Sequence, residues 1–280
     1  MNKKVALITG ASSGMGFETA LNLLSMGYVV YGGARRVEQM KEIVEHGGYA
    51  MALDVTSEES MTAYVRQIIE KEKHIDILVN NAGYGSCGSI EEVPLEEVKR
   101  QYDVNVFGLG RMTQLVLPYM RKQRSGRIVN VASMGGRFTT PYCGWYHSTK
   151  YAVEAISDAL RMEVQPFGID VIVIEPGLIQ TNWGIIAGKN IRKVSGDGDY
   201  SVNADKAAQY YEARYGNQKA GLTNPKTIAG IICESIVAKR PKTRYLVGKN
   251  AKSFVFLKNI LSDRAFQSVA MKSMHMVNKL

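Results

Sequence analysis

Tyr146 and Lys150 stand four residues apart in a chain of 280, and Ala152-Val153-Glu154-Ala155-Ile156 continues a helical pattern after them. That spacing puts a phenol and an ammonium on one helix face. A phenol titrates near 10 in water, and a neighbouring positive charge favours its anion. Lowering its pKa by about three units corresponds to roughly 4 kcal/mol, which demands a close charge in a dry pocket. A phenol tuned in this way exchanges a proton with an oxygen whose charge changes, as when a carbonyl becomes an alcohol. Ser133, thirteen residues upstream, supplies a hydroxyl for the same oxygen. Alone, a Y-x-x-x-K spacing also describes an aromatic and a snorkelling lysine on an ordinary helix. The rest of the chain has to decide between the two.

Near the N-terminus an apolar run at 5–8 leads into Thr9-Gly10-Ala11-Ser12-Ser13-Gly14-Met15-Gly16, followed by a helical pattern. Gly10, Gly14 and Gly16 let the backbone turn sharply and approach a pyrophosphate without a Cβ in the way. Ser12, Ser13 and Met15 fall on the same turn, where a helix N-terminus offers free N–H groups to phosphates. Strand before and helix after make this a nucleotide-binding turn. A second strand reads Val29-Val30-Tyr31-Gly32-Gly33-Ala34-Arg35-Arg36. An NAD site places an acid near its end for the ribose 2′-hydroxyl. Here Ala34 takes that place, and Arg35, with Arg36 as second choice, suits a 2′-phosphate through charge-assisted hydrogen bonds. The cofactor expected is NADP, with NAD less favoured.

To position these groups the chain needs strands alternating with helices. Short apolar runs at 5–8, 29–31, 49–53, 75–79, 128–131 and 171–174 read as strands covered on both faces. Helical segments lie between them, one opened by Asp54 to Glu59 as cap and acidic first turn. The fold expected is α/β, a Rossmann-type doubly wound parallel sheet of about seven strands, helices on both faces. A single domain over 1–280 divides into a dinucleotide-binding and catalytic core (1–177), a substrate loop or lid (178–224), and C-terminal helices with a last strand (225–280). The lid segment holds Gly184, Gly188, Gly196, Gly198 and Gly216 among scattered charges and reads as a loop with one helix near 204–215. It follows the strand at 171–174 and so starts at the ligand edge. Phe138, Tyr142, Trp145 and Trp183 are candidates to line an apolar substrate site, and core packing explains them almost as well. His147 is one helical step from Tyr146 and reads as a core or surface residue.

In this order the motifs resemble those of the short-chain dehydrogenase/reductase superfamily over roughly residues 1–250. They are T-G-x3-G-x-G at Thr9 to Gly16, Asp54-Val55, Asn80-Asn81-Ala82-Gly83, Asn105, Ser133, Tyr146-x3-Lys150 and Pro176-Gly177. The resemblance implies that Asp54, Val55, Asn81, Ala82, Gly83, Pro176, Gly177, Ile179 and Thr181 contact the dinucleotide. It also gives Lys150 the nicotinamide ribose hydroxyls, and makes Asn105, opening a helix, a proton relay to Lys150 through water. Helices near 105–122 and 145–167 would build a homodimer or homotetramer. The C-terminal stretch from Arg244 is loosely similar to 17β-hydroxysteroid and retinol dehydrogenases, which suggests a bulky apolar carbonyl or alcohol as substrate.

Composition narrows the setting. No apolar run is long enough to span a bilayer, and three scattered cysteines, Cys87, Cys143 and Cys233, argue against a disulfide framework or a metal site. Cys143 reads as bordering the pocket without a base to activate it. A cytoplasmic enzyme is expected. The net charge of +9 is concentrated in 236–280, with ten Lys/Arg against Asp263. No recognition motif for nucleic acid accompanies it. A solvated helix face is the plainer reading, and an interfacial helix carrying Phe254, Phe256, Leu257, Ile260, Leu261 and Phe266 against a membrane is an alternative. A nucleotide-sensing protein without catalysis is the remaining competitor, because fold does not dictate function.

Overall fold

Alternate residues of strand β1 (Val5–Thr9) enter two separate apolar layers: Val5 and Leu7 one, Ala6 and Ile8 the other. That is the period-2 consequence of a strand covered on both faces. The computed structural model describes residues 3–216 and 221–276; Met1, Asn2, Asn217 to Ala220 and Val277 to Leu280 lie outside the described residues, and with them Lys279 of the basic tail. Six further strands follow: β2 (Val29–Ala34), β3 (Tyr49–Ala52), β4 (Ile77–Asn80), β5 (Gly126–Val131), β6 (Ile169–Pro176) and β7 (Arg244–Val247). All seven are parallel, in the order β3-β2-β1-β4-β5-β6-β7. The order reverses between β1 and β4, so a crevice opens at their carboxyl ends. Strand β3 departs from the two-face expectation. It is an edge of the sheet and has no buried residue, and Lys71 sits over the Tyr49 ring there, a charged cover of the kind that blunts an edge.

Helices α1 (Gly14–Ser25) and α2 (Lys41–Glu45) follow the first two strands, and α3 (Glu58–Glu72) the third. Ser57 caps α3 by accepting the Ser60 amide at 3.2 Å, as acids in the first turn favour. Helix α4 (Leu95–Tyr102) continues into α5 (Leu109–Gln123) through a π-helical turn, Asp103–Gly108. Asn105 therefore does not open a helix, contrary to expectation. It lies in mid-helix, in a wide turn of the kind that recurs at functional sites. Gly108 closes that turn against the loop after β3, where a Cβ would come within 2.5 Å of the Val55 carbonyl oxygen. Helix α6 (Gly144–Val164) packs with α3 and α5 on one sheet face, while α1 and α9 (Pro225–Val237) cover the other.

The segment 178–224 contains two helices, not one: α7 (Trp183–Ser195) and α8 (Ser201–Gly216). Glycines that signal a loop in the sequence are where the pair touches. A Cβ on Gly184 would lie 2.1 Å from the Tyr215 ring, and one on Gly188 would lie 2.8 Å from Glu212 Cγ and 3.0 Å from the Ala208 carbonyl oxygen. Arg192 adds ion pairs to Asp205 and Glu212 across the seam. Helices α10 (Ala251–Ile260) and α11 (Asp263–Ser273) complete the chain; Phe254 and Phe266 pack on Phe138 at ring-centroid distances of 5.4 and 5.5 Å. The tail thus closes over the cleft, with Phe256 and Ile260 left exposed. Gly188→Leu should pry α7 from α8 and cost about 1–3 kcal/mol, the range for overpacking. We expect lower thermal stability together with faster limited proteolysis within 183–216; unchanged proteolysis there would contradict the close seam.

Candidate active site

The glycine turn is held by side chains from β4's end. The Asn81 side-chain amide donates to the carbonyl oxygens of Thr9 and Gly10 at 3.0 and 3.1 Å. Thr9 Oγ1 in turn accepts the backbone amides of Asn81 and Ala82 at 3.1 and 2.9 Å. A Cβ on Gly10 would strike Ala82, and one on Gly16 would fall 2.4 Å from Asn81 Nδ2. Gly14, in the left-handed region at φ +60°, faces open space with nothing within 4 Å of a Cβ. Ser13 caps α1 in an extended conformation without a side-chain hydrogen bond to its amides. A bare turn, a left-handed glycine and exposed helix amides are the cradle a dinucleotide pyrophosphate requires. Ser12 and Met15 border it.

Beyond the turn, Ala34 is buried while Arg35 and Arg36 are exposed at the end of β2. Burial works to raise the Asp54 carboxyl, but hydrogen bonds from Thr56 and the charges of Arg35 and Arg100 outweigh it and hold Asp54 below its ordinary range. The Asp54-Val55 loop and Arg35 thus share one edge of the crevice. Asn81, Ala82 and Gly83 form the next edge, and Pro176, Gly177, Ile179 and Thr181 line it beyond β6.

Strand β5 and helix α6 bring the candidate catalytic groups together. Ser133 ends the strand and caps a short 3₁₀ turn, Met134–Gly136, its Oγ accepting the Gly135 amide at 3.0 Å. Tyr146 and Ser133 line one cavity, where the Ser133 hydroxyl acts to lower the phenol's pKa. Lys150, one helical turn on, is buried and donates from Nζ to the Val131 carbonyl oxygen at 2.9 Å. Asn105 accepts the Tyr84 amide at 3.0 Å through Oδ1, and its Nδ2 donates to the Tyr84 carbonyl oxygen and Thr149 Oγ1. A Cβ on Gly83 would lie 3.1 Å from Asn105 Oδ1 and 3.6 Å from Lys150 Nζ. Gly83 therefore keeps both groups facing one small space. Beneath them Asn80 donates to Thr113 on α5 and to Asn130 on β5, and Asn130 donates to Ser157 on α6. This buried ladder fixes both helices against the sheet; the Asn pair is invisible to a pattern that looks only for apolar strands.

The phenol and Ser133 open into a cavity. Its walls are aromatic: Phe138, Trp183, Tyr210, Tyr211, Tyr215 and Phe254. Trp183 stands 5.0 Å from the Tyr146 ring, and Thr140 Oγ1 lies 3.2 Å from the Tyr211 hydroxyl. Of the four aromatic candidates, Phe138 and Trp183 line this space. Trp145 instead donates to the Ile90 carbonyl oxygen, and Tyr142 lines a separate surface cavity with Tyr200.

Three electrostatic and covalent findings differ from expectation. Burial pushes the Tyr146 phenol up to about 12, opposed by the Ser133 hydroxyl, so the expected depression by Lys150 does not prevail. Burial also pulls Lys150 down to about 8, with Glu154 acting against it, and the lysine's nitrogen lies 5.9 Å from the phenol ring centroid. Second, His147 is buried and lines the cavity; burial pulls it down to about 4, and the Thr140 amide donates to its Nδ1 at 3.1 Å. Third, Cys87 and Cys143 form a disulfide with Cα atoms 4.7 Å apart. The pairing joins the loop after β4 to the start of α6, and a 56-residue separation hid it from spacing rules. Cys143 is fully buried rather than at the pocket. Among the described residues no group of three His, Cys, Asp or Glu could hold a metal ion, and no helix is long and apolar enough to cross a membrane.

A family model described as short chain dehydrogenase matches residues 4–189. The chain is 38% identical over 249 residues to a 3-ketodihydrosphingosine reductase of Bacteroides thetaiotaomicron, covering 89% of each. It is 34% identical over 282 residues to an NADPH-dependent 3-dehydrocapnine reductase of Ornithobacterium rhinotracheale, covering 97% of each. Among solved structures, a short-chain dehydrogenase from Streptomyces avermitilis matches with a TM-score of 0.80 at 31% identity, over 98% of both chains. The seven-stranded sheet and these likenesses agree: the chain belongs to the short-chain dehydrogenase/reductase family of oxidoreductases.

Proposed function

We propose that the protein reduces a carbonyl on an apolar molecule at the expense of NADPH, with Tyr146 as the proton donor. The observation that carries this reading is that Tyr146 and Ser133 line one aromatic cavity beside Pro176 and Gly177. NADPH, when bound along Gly10 to Gly16, Asp54-Val55, Asn81 to Gly83 and Pro176 to Thr181, supplies the hydride. Ser133 orients the substrate oxygen as a preorganised donor. Tyr146 gives its proton to that oxygen as negative charge develops; a phenol raised to about 12 stays protonated at neutral pH, the form a reduction needs. Lys150 holds positive charge beside the phenol and contacts the ribose hydroxyls, and Asn105 connects Lys150 through water to solvent, from which the proton given up by Tyr146 is replaced. The relatives named above are reductases, one of them named as NADPH-dependent, which supports the direction and the cofactor. Exposed Phe107 in the α4–α5 helix and Tyr151 and Met162 on α6 support a homodimer or homotetramer built on these helices.

Tyr146→Phe should retain NADPH binding, followed by cofactor fluorescence, and lose about 10²–10⁴-fold in kcat, the usual worth of a positioned proton donor. A variant turning over nearly as fast as the parent would remove the role, and leave a nucleotide-binding protein as the better description. The double variant Ala34→Asp/Arg35→Ala should move the ratio of kcat/KM from NADPH toward NADH by about tenfold or more, because a carboxylate repels the 2′-phosphate that the guanidinium grips. An unchanged ratio would place 2′-phosphate recognition elsewhere.

A further inference from the structure

Helix α6 carries a third buried ionisable residue in the same register. Tyr146, Lys150 and Glu154 are spaced i, i+4, i+8, and Lys150 and Glu154 are only 6% and 7% exposed. Side chains one turn apart on one face are neighbours. Gly136 packs between them: a Cβ there would lie 2.9 Å from the Lys150 carbonyl oxygen and 3.0 Å from Glu154 Cγ. The Glu154 carboxyl does not stand alone. It shares the Arg244 guanidinium with the carboxyl of Glu175 on β6, itself 1% exposed. Its Oε2 accepts Arg244 Nε from β7 at 3.0 Å, while its Oε1 is buried without a hydrogen-bond partner. Glu175 accepts Arg137 Nη1 at 2.9 Å and lies 3.6 Å from Arg244 Nε. Arg244 also reaches Asp158, one turn beyond Glu154.

A carboxyl oxygen buried with no donor is costly unless a charge nearby makes use of it. Around this one stand two guanidinium groups, a second carboxyl and, one turn away, the Lys150 ammonium. Two buried carboxyls gathered on one guanidinium each make ionisation of the other harder. We propose that Glu154 is a positioning residue for the reaction, its buried carboxylate holding Lys150 in the ammonium form, with Glu175, Arg137 and Arg244 setting how much of the time Glu154 carries that charge. The cluster joins the lysine to the last strands of the sheet: Glu175 immediately precedes Pro176 and Gly177, and Arg244 begins β7. Burial and the neighbouring Glu175 push the Glu154 carboxyl up, against the pull of Arg244, and the Glu154 charge raises Lys150 against its own burial. Both directions agree with the geometry. The groups facing Lys150 are then Tyr146 and Glu154 from α6, the Val131 carbonyl from β5 and Asn105 from the wide turn; those around Glu154 are Glu175 and Arg244, with Arg137 held on Glu175 and Asp158 on Arg244.

The inference rests on the role given to Lys150 above, but its measurement does not need turnover. With ¹³C-labelled lysine, the Lys150 resonance is assigned by its loss in Lys150→Arg and titrated by NMR. Removing an adjacent anion makes an ammonium easier to deprotonate, so Glu154→Gln should lower the Lys150 midpoint by about one unit. Glu175→Gln should act oppositely: with its competing carboxylate gone, Glu154 stays ionised to lower pH and the Lys150 midpoint rises. In carbonyl reduction the alkaline limb of the kcat profile should move in the same two directions. A folded Glu154→Gln whose Lys150 midpoint stays at the parent value overturns the proposal. If Glu154→Gln does not fold, Glu175→Gln decides: a higher midpoint supports it, and an unchanged or lower one overturns it. Midpoints that shift as stated in a protein that reduces no carbonyl would uphold the electrostatic coupling and refute the proposed function.

Discussion

Four hydrogen bonds clasp Thr9 and Gly10 to Asn81 and Ala82 across the point where the strand order reverses, two from the Asn81 and Ala82 amides to the Thr9 hydroxyl and two from the Asn81 side chain to the carbonyl oxygens of Thr9 and Gly10. Strands β1 and β4 are neighbours through their backbones, but their loops leave in different directions. Without this clasp the glycine turn would have no fixed distance to Gly83, and Gly83 sets the space that Asn105 and Lys150 share. Each such bond, half-buried, contributes about 1 kcal/mol, and leaving a partner unpaired costs about 1–3. The sum is comparable to a large part of a domain's net stability, so the crevice is not an appendage of the fold but one of the things that stabilises it.

The second constraint is polar and runs through the middle of the sheet. Asn80 and Asn130 are register partners in β4 and β5, and their amides reach Thr113 and Ser157 on the two helices that flank the site. An apolar contact would hold those helices close but leave them free to slide by a turn. A hydrogen-bonded contact specifies one rotation, and with it the direction in which Tyr146 and Lys150 project.

Much of this was legible in the residues. Strands buried on both faces announce themselves by unbroken apolar runs, and local punctuation by glycine, serine and acidic residues locates helix starts; hence the sheet, the nucleotide turn and the Ser133, Tyr146 and Lys150 grouping were all within reach. What was not legible depends on contacts between distant segments. Gly184 and Gly188 look like breakers until Tyr215 and Ala208 are placed against them. Asn105 looks like a helix start because π-helical widening has no periodic signature. Cys87 and Cys143 look unrelated at a separation of 56 residues. The Tyr146 phenol was read in the wrong direction for a related reason: spacing reveals that a charge is near, but desolvation depends on everything else that packs around the group. Glu154 showed a trace, an acid four residues beyond a lysine on a helix face, and only its burial distinguishes it from an ordinary surface pair.

The seam between α7 and α8 has a consequence for how this scaffold accommodates different molecules. Gly184, Gly188, Ala208 and the Arg192 ion pairs bind the two helices to each other, whereas Trp183, Tyr210, Tyr211 and Tyr215 supply side chains to the cavity wall. The division is not complete, because Tyr215 packs on Gly184 and on the Trp183 ring while it lines the chamber. Changing Tyr215 or Trp183 therefore reshapes the chamber and loosens the hairpin together, whereas Phe138 and Phe254 line it from outside the hairpin. The chamber's shape is open to revision without disturbing the hairpin only where its wall comes from other elements.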